Sequence, residues 1–67
     1  MKPTWKQMKQ VAKPMVERGE DWQRTLEDVK DELDMEASEE NRELIMSVIR
    51  ECEEEVAEAY ERGQEAR

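Results

Sequence analysis

Apolar residues recur along this chain at helical spacing in three separate sets, and nowhere do they alternate for long enough to suggest a strand. Trp5, Met8, Ala12 and Met15 step by three, four and three. Trp22, Leu26, Val29 and Leu33 step by four, three and four. Ile45, Ile49, Cys52, Val56 and Ala59 step by four, three, four and three, with Leu44, Met46, Val48 and Tyr60 widening the stripe. Each set lays an apolar line along one face of a helix, in a background of Glu, Lys, Arg and Met that favours helix. The pattern predicts an all-α fold of one domain over 1–67. We expect a small three-helix bundle, with a short kinked N-terminal helix followed by an antiparallel helical hairpin.

Punctuation refines the boundaries. Thr4 with Gln7 matches a capping box, and Pro3 with Met8 fits a hydrophobic staple, so the first helix is expected over 4–18. Pro14 lacks an N–H and its ring opposes the Gln10 carbonyl, which predicts a kink or a restart at that point. Gly19 supplies a left-handed cap. Asp21 is the expected N-cap of a second helix over 21–35. In register, that stripe would continue to Glu36, Glu40 and Glu43, which are charged, and the next apolar stripe is displaced by two positions. Two positions turn the face by about 200° at about 100° per residue, so a turn is expected at 34–38, with Ser38 capping a third helix over 38–62. Glu-Arg-Gly ends both 17–19 and 61–63, which reads as shared C-cap chemistry, leaving 63–67 as a polar tail.

Composition complicates the picture of a self-sufficient bundle. Sixty-seven residues carry only ten Leu, Ile and Val and no Phe, and a chain this short buries only about 60% of its unfolded surface. Five Met and two Trp add apolar volume, and completion by self-association or by a protein partner is expected, with a homo-oligomer favoured. The net charge of −8 is unevenly spread. Lys2, Lys6, Lys9, Lys13 and Arg18 stand against Glu17 alone in residues 1–19, a surplus of four positive charges, while the six basic and eighteen acidic residues that follow leave −12. The four lysines form one basic stripe, which suits docking of the first helix on the acidic second and third. A role for this stripe at nucleic acid or membrane is disfavoured by the acidity of the whole. Glu51, Glu53, Glu54, Glu55, Glu58 and Glu61 admit the converse alternative, an inhibitor whose acidic face imitates a phosphate backbone.

The residues needed for catalysis are scarce. With no His, the chain lacks the commonest general base and transition-metal ligand, and one Cys cannot complete a zinc set. No phosphate-binding or dinucleotide motif occurs. The reading is therefore non-enzymatic, with no catalytic residue, no cofactor and no metal. Glu51, Glu55 and Glu58 share a helix face as solvated charge. Cys52 lies mid-stripe and reads as a buried, inert thiol. No apolar run is long enough for a membrane span or a secretory signal, so a cytoplasmic setting is expected.

The spacing of Trp22, Leu26, Val29, Asp31 and Leu33 resembles the BH3 motif, the helix that Bcl-2-family proteins bind in an apolar groove. The resemblance covers 12 of 67 residues and implies that Trp22, Leu26, Val29 and Leu33 are anchors and Asp31 a charge contact. It departs from the motif at Lys30, where a small residue is usual. The same four apolar residues, with Ile45, Ile49, Cys52 and Val56, also form the expected core seam of the bundle, and that reading is preferred. Trp5, Met8 and Met15 are the candidate partner-binding residues, because Trp and Met are enriched where proteins associate. The exposed positions of the C-terminal half are dense in Glu, Ala and Arg, as in engineered bundles. Pro14, five Met and a lone Cys are not idealised choices, and a small natural protein, for instance a viral one, stays open beside a designed one.

Overall fold

The computed structural model describes residues 2–65. α1 spans Trp5–Glu17, α2 spans Trp22–Glu32 and α3 spans Glu39–Glu65, and no strand occurs among the described residues. The fold is a three-helix bundle. α1 and α3 share the most extensive interface, and α2 packs on both.

Local chemistry sets most of the boundaries. The Gln7 N–H donates to Thr4 Oγ1 over 3.2 Å and the Thr4 N–H donates to Gln7 Oε1 over 2.8 Å, closing the capping box. α1 runs through Pro14 without interruption, so the restart does not occur. Pro14 sits close to the C-terminal end, where only the bond to the Gln10 carbonyl is forfeited, and Arg18 N–H closes the last turn on the Pro14 carbonyl at 3.2 Å. Gly19, at φ 79°, then reverses the chain. Its N–H donates to the Val16 carbonyl over 3.0 Å and the Glu20 N–H to the Met15 carbonyl over 3.1 Å, which is a Schellman cap.

α2 ends three residues before the expected 35, for the same reason. Asp34 takes the left-handed conformation at φ 51°, and Met35 N–H reaches back to the Lys30 carbonyl over 2.8 Å. Asp21 holds the N-cap position but its side chain caps nothing. Its carbonyl instead accepts both the N–H and the hydroxyl of Thr25, at 2.9 and 3.0 Å. Ser38 does cap α3, accepting the Asn41 N–H at 3.2 Å. α3 passes straight through Gly63 to Glu65. The second Glu-Arg-Gly is therefore not a helix end, because Gln64 and Glu65 are helix formers that propagate the helix past glycine. Ala66 and Arg67, the rest of the expected tail, lie outside the described residues.

The core joins Met8 and Ala12 of α1, Thr25, Leu26 and Val29 of α2, and Ile45, Val48, Ile49 and Cys52 of α3. Each of its larger aliphatic side chains is worth about 1.5–3 kcal/mol when fully removed from water. The molecule measures 45 × 20 × 17 Å. The 27 residues of α3 span about 40 Å, whereas α1 and α2, with 13 and 11 residues, reach only about 20 and 17 Å. α3 therefore outruns its supports.

Candidate functional site

Three surface features stand out, and each follows from how the helices meet. The first is the seam between α1 and α3. Trp5, Lys9 and Lys13 recur every fourth residue on α1, facing Glu51 and Glu55, four apart on α3. Trp5 Nε1 donates to Glu51 Oε2 over 2.7 Å. The Lys9 ammonium lies 3.7 Å from Glu51 and pairs closely with Glu55, and Lys13 lies 3.6 Å from Glu55. Contacts thus advance in the same sense along both helices. The hydrogen bond from Lys9 holds the Glu55 carboxyl below its ordinary value, and the same bond raises Lys9 above its own. The expected docking of the basic stripe on acidic helices is realised for Lys9 and Lys13, and the acid partner is α3.

The second feature is a cleft of about 630 Å³ between α2 and the first turns of α3. Leu26 and Ile45 form its floor and Trp22 a wall, with Lys30, Arg42 and Glu39 at the rim. It is a groove that stands half open to solvent rather than an enclosed cavity.

The third is the far end of α3. Val56 is half-buried and every residue from Ala57 to Gly63 is exposed, including Tyr60 at 68%.

The candidate residues divide between these features and the core. Of the partner-binding set, Met8 and Met15 are buried and so closed to a partner, while Trp5 is 41% exposed. Met8 and Met15 fall on the side of α1 pressed against the bundle, and Trp5, in its first turn, reaches only the edge of α3. Of the core seam, Leu26, Val29, Ile45, Ile49 and Cys52 are buried, and Leu33 is half-buried against them. Trp22 is 39% exposed, a correction to its core placement: as the first residue of α2 it borders the open cleft rather than a third helix. Val56 is only half-buried because it sits where the supporting helices run out. The anchors of the BH3 resemblance divide likewise, with Leu26 and Val29 committed to the core.

Thr25 is fully buried without having been expected there. Its signal lay in spacing, four before Val29 and three after Trp22, with a hydroxyl able to return to the carbonyl four residues earlier. Burial pushes the Cys52 thiol above its ordinary value. Among the described residues no group of three His, Cys, Asp or Glu is arranged to hold a metal ion, and no helix is long and apolar enough to cross a membrane. Compared with known protein families, curated proteins and solved structures, the chain matches none.

Proposed function

We propose that the chain is a non-enzymatic protein–protein interaction module that engages a protein partner or a second copy through its exposed tryptophans. The observation that carries this reading is that Trp5 and Trp22 both stay about two-fifths exposed, at 41% and 39%, in a chain short of core residues. Tryptophan is the side chain most often found to dominate binding energy, because it offers a large rigid apolar area at low entropic cost. Trp22 also stands beside a cleft with an apolar floor and a charged rim, the arrangement of an anchor pocket. A cytoplasmic setting suits a single reduced cysteine.

A second reading is an inhibitor that imitates nucleic acid, supported by Glu53, Glu54, Glu58 and Glu61, all exposed along α3. Light scattering over a concentration series, alone and with candidate partners, tests the first reading. Repeating it at rising salt separates the two. Binding through tryptophan should hold between about 0.05 and 0.5 M salt, whereas binding through a carboxylate ladder should weaken steeply.

A further inference from the structure

The cleft between α2 and the first turns of α3 has Leu26 and Ile45 as its apolar floor and Trp22 as an aromatic wall. Its rim is acidic on balance. Glu27, Glu36 and Glu39 stand against Lys30 and Arg42, and Lys30 already pairs with Glu27 at 3.0 Å. An apolar group with positive charge beside it suits such a cleft, and an apolar group among carboxylates does not. Four large apolar side chains are exposed among the described residues: Trp5, Trp22, Leu44 and Tyr60. Trp22 is itself the wall. Leu44 stands beside Glu43 and one turn after Glu40, and Tyr60 stands beside Glu61. Neither has a lysine or arginine one, three or four residues away, the positions that neighbour it on a helix. Trp5 has three such neighbours, Lys2, Lys6 and Lys9. Lys9 is engaged by Glu55 and Glu51, whereas Lys2 and Lys6 are exposed and enter no ion pair among the described residues.

We propose that copies of this chain associate head to tail. The Trp5 indole of one copy enters the cleft of the next and stacks on its Trp22, while Lys2 and Lys6 meet the acidic rim. The indole N–H, which donates to Glu51 over 2.7 Å in the free chain, exchanges that carboxylate for one at the rim. An enclosed aromatic ring buries about 150–250 Å², and an aromatic pair adds to that burial. The contact is small, below the area of about 1,200 Å² typical of stable complexes, so the association is weak and reversible. Trp5 lies on the seam of α1 with α3 and the cleft on that of α2 with α3, two different faces of the bundle. A docked copy thus offers a free Trp5 or a free cleft to another, and growth is open-ended rather than closed at a dimer. This inference rests on the interaction-module reading and names a second copy as its partner.

The test is sedimentation equilibrium of the full chain over a concentration series at about 0.15 M salt, which screens charges beyond about 8 Å and so mutes the repulsion between two chains of net charge −8. The average mass of the wild type should climb past that of a dimer. Trp5→Ala removes the ring and leaves the cleft, whereas Trp22→Ala removes the wall and leaves the ring. Each should weaken association by about thirtyfold. Mixed together, the two variants should associate again and stop at a one-to-one dimer, the ring of the Trp22→Ala chain sitting in the cleft of the Trp5→Ala chain. An interface built on either tryptophan alone does not give this complementation. Lys6→Glu and Glu36→Lys change exposed side chains that bond nothing else among the described residues, so helix content and melting should hold while association weakens by about threefold. These two variants decide the matter should a tryptophan variant fail to fold. A chain that stays monomeric at millimolar concentration, a wild type that stops at a dimer, or a mixture that stays monomeric overturns the proposal. Association that survives Trp5→Ala and is lost in Trp22→Ala removes Trp5 from the cleft and leaves the interaction-module reading standing. Association indifferent to both tryptophans overturns that reading as well.

Discussion

The indole of Trp5, the first residue of α1, is tied to Glu51 in the middle of α3 by a 2.7 Å hydrogen bond across 46 positions of sequence. Both groups remain partly in water, so the bond steers the ring more than it holds the fold. Trp5→Phe keeps an aromatic ring, though a smaller one, and removes the donor, and is expected to lower stability by about 0.5–1 kcal/mol in urea denaturation. Loss of the folded state in this variant would show that the first turn of α1 bears more of the fold than its exposure indicates.

The Lys9–Glu55 pair should leave its mark on the acid side. The folded carboxyl of Glu55 sits below its ordinary value of 4.5, chiefly through the hydrogen bond from Lys9. Its contribution is complete above pH 4.5 and is lost as the pH falls through the lowered folded value. Lys9, raised above 10.5, acts in the opposite sense, contributing fully below pH 10.5 and losing this as the pH rises through its folded value. Melting temperatures of the wild type and Glu55→Gln should therefore differ at pH 7 and draw together as the pH falls from 4.5 through the lowered folded value. A difference that persists undiminished into strong acid would assign the effect of the substitution to packing.

Gly19 and Asp34 do the same job at different cost. Both sit in the left-handed region, at φ 79° and 51°, and both close a helix by the same cap. Glycine adopts this conformation freely, whereas a residue with a Cβ is strained there by about 1 kcal/mol. Asp34→Gly is expected to stabilise the protein by about 0.5–1 kcal/mol, and Gly19→Ala to destabilise it by about 1 kcal/mol. Thermal unfolding of the two variants checks both signs at once.

Cys52 is fully buried against the core, and burial disfavours its thiolate. Because the thiolate is the reactive form, an aromatic disulfide reagent should label Cys52 only through opening of the bundle. The labelling rate should rise with urea in step with unfolding. Fast labelling in native buffer would mean that α1 or α2 lifts from α3 well below the global stability.

Most of the fold was legible because it depends on local signals. The capping box at Thr4, the cap at Gly19, the Ser38 start and the displaced stripe all act within a few residues, and the chain obeys them. The misses have non-local or conformational causes. Asp34 closes α2 early because aspartate tolerates the left-handed region, a tolerance that hydrophobic spacing does not reveal. Gly63 shares Glu-Arg-Gly with Gly19, yet the chain after it continues to favour helix. Trp22 lies on the stripe and yet borders the cleft, because helical spacing fixes a face but not whether a neighbouring helix reaches that level. Met8 and Met15, candidates for partner binding, are buried in the chain for the converse reason. Their stripe is covered by α3, whose length allows it to serve as support for both other helices.

The separation between Trp5 and Glu51 also bears on the order in which the bundle assembles. The largest interface joins the two helices farthest apart in sequence, whereas short turns at 18–21 and 33–38 join each of them to α2. Direct closure of α1 on α3 encloses a long loop, and each doubling of loop length adds about 0.6 kcal/mol of entropy cost. The shorter route runs through α2, which has only 11 residues and little stability by itself. The smallest helix thus becomes the bridge over which the largest interface is reached. In stopped-flow refolding, Val29→Ala should slow folding, whereas Met8→Ala should act mainly by speeding unfolding.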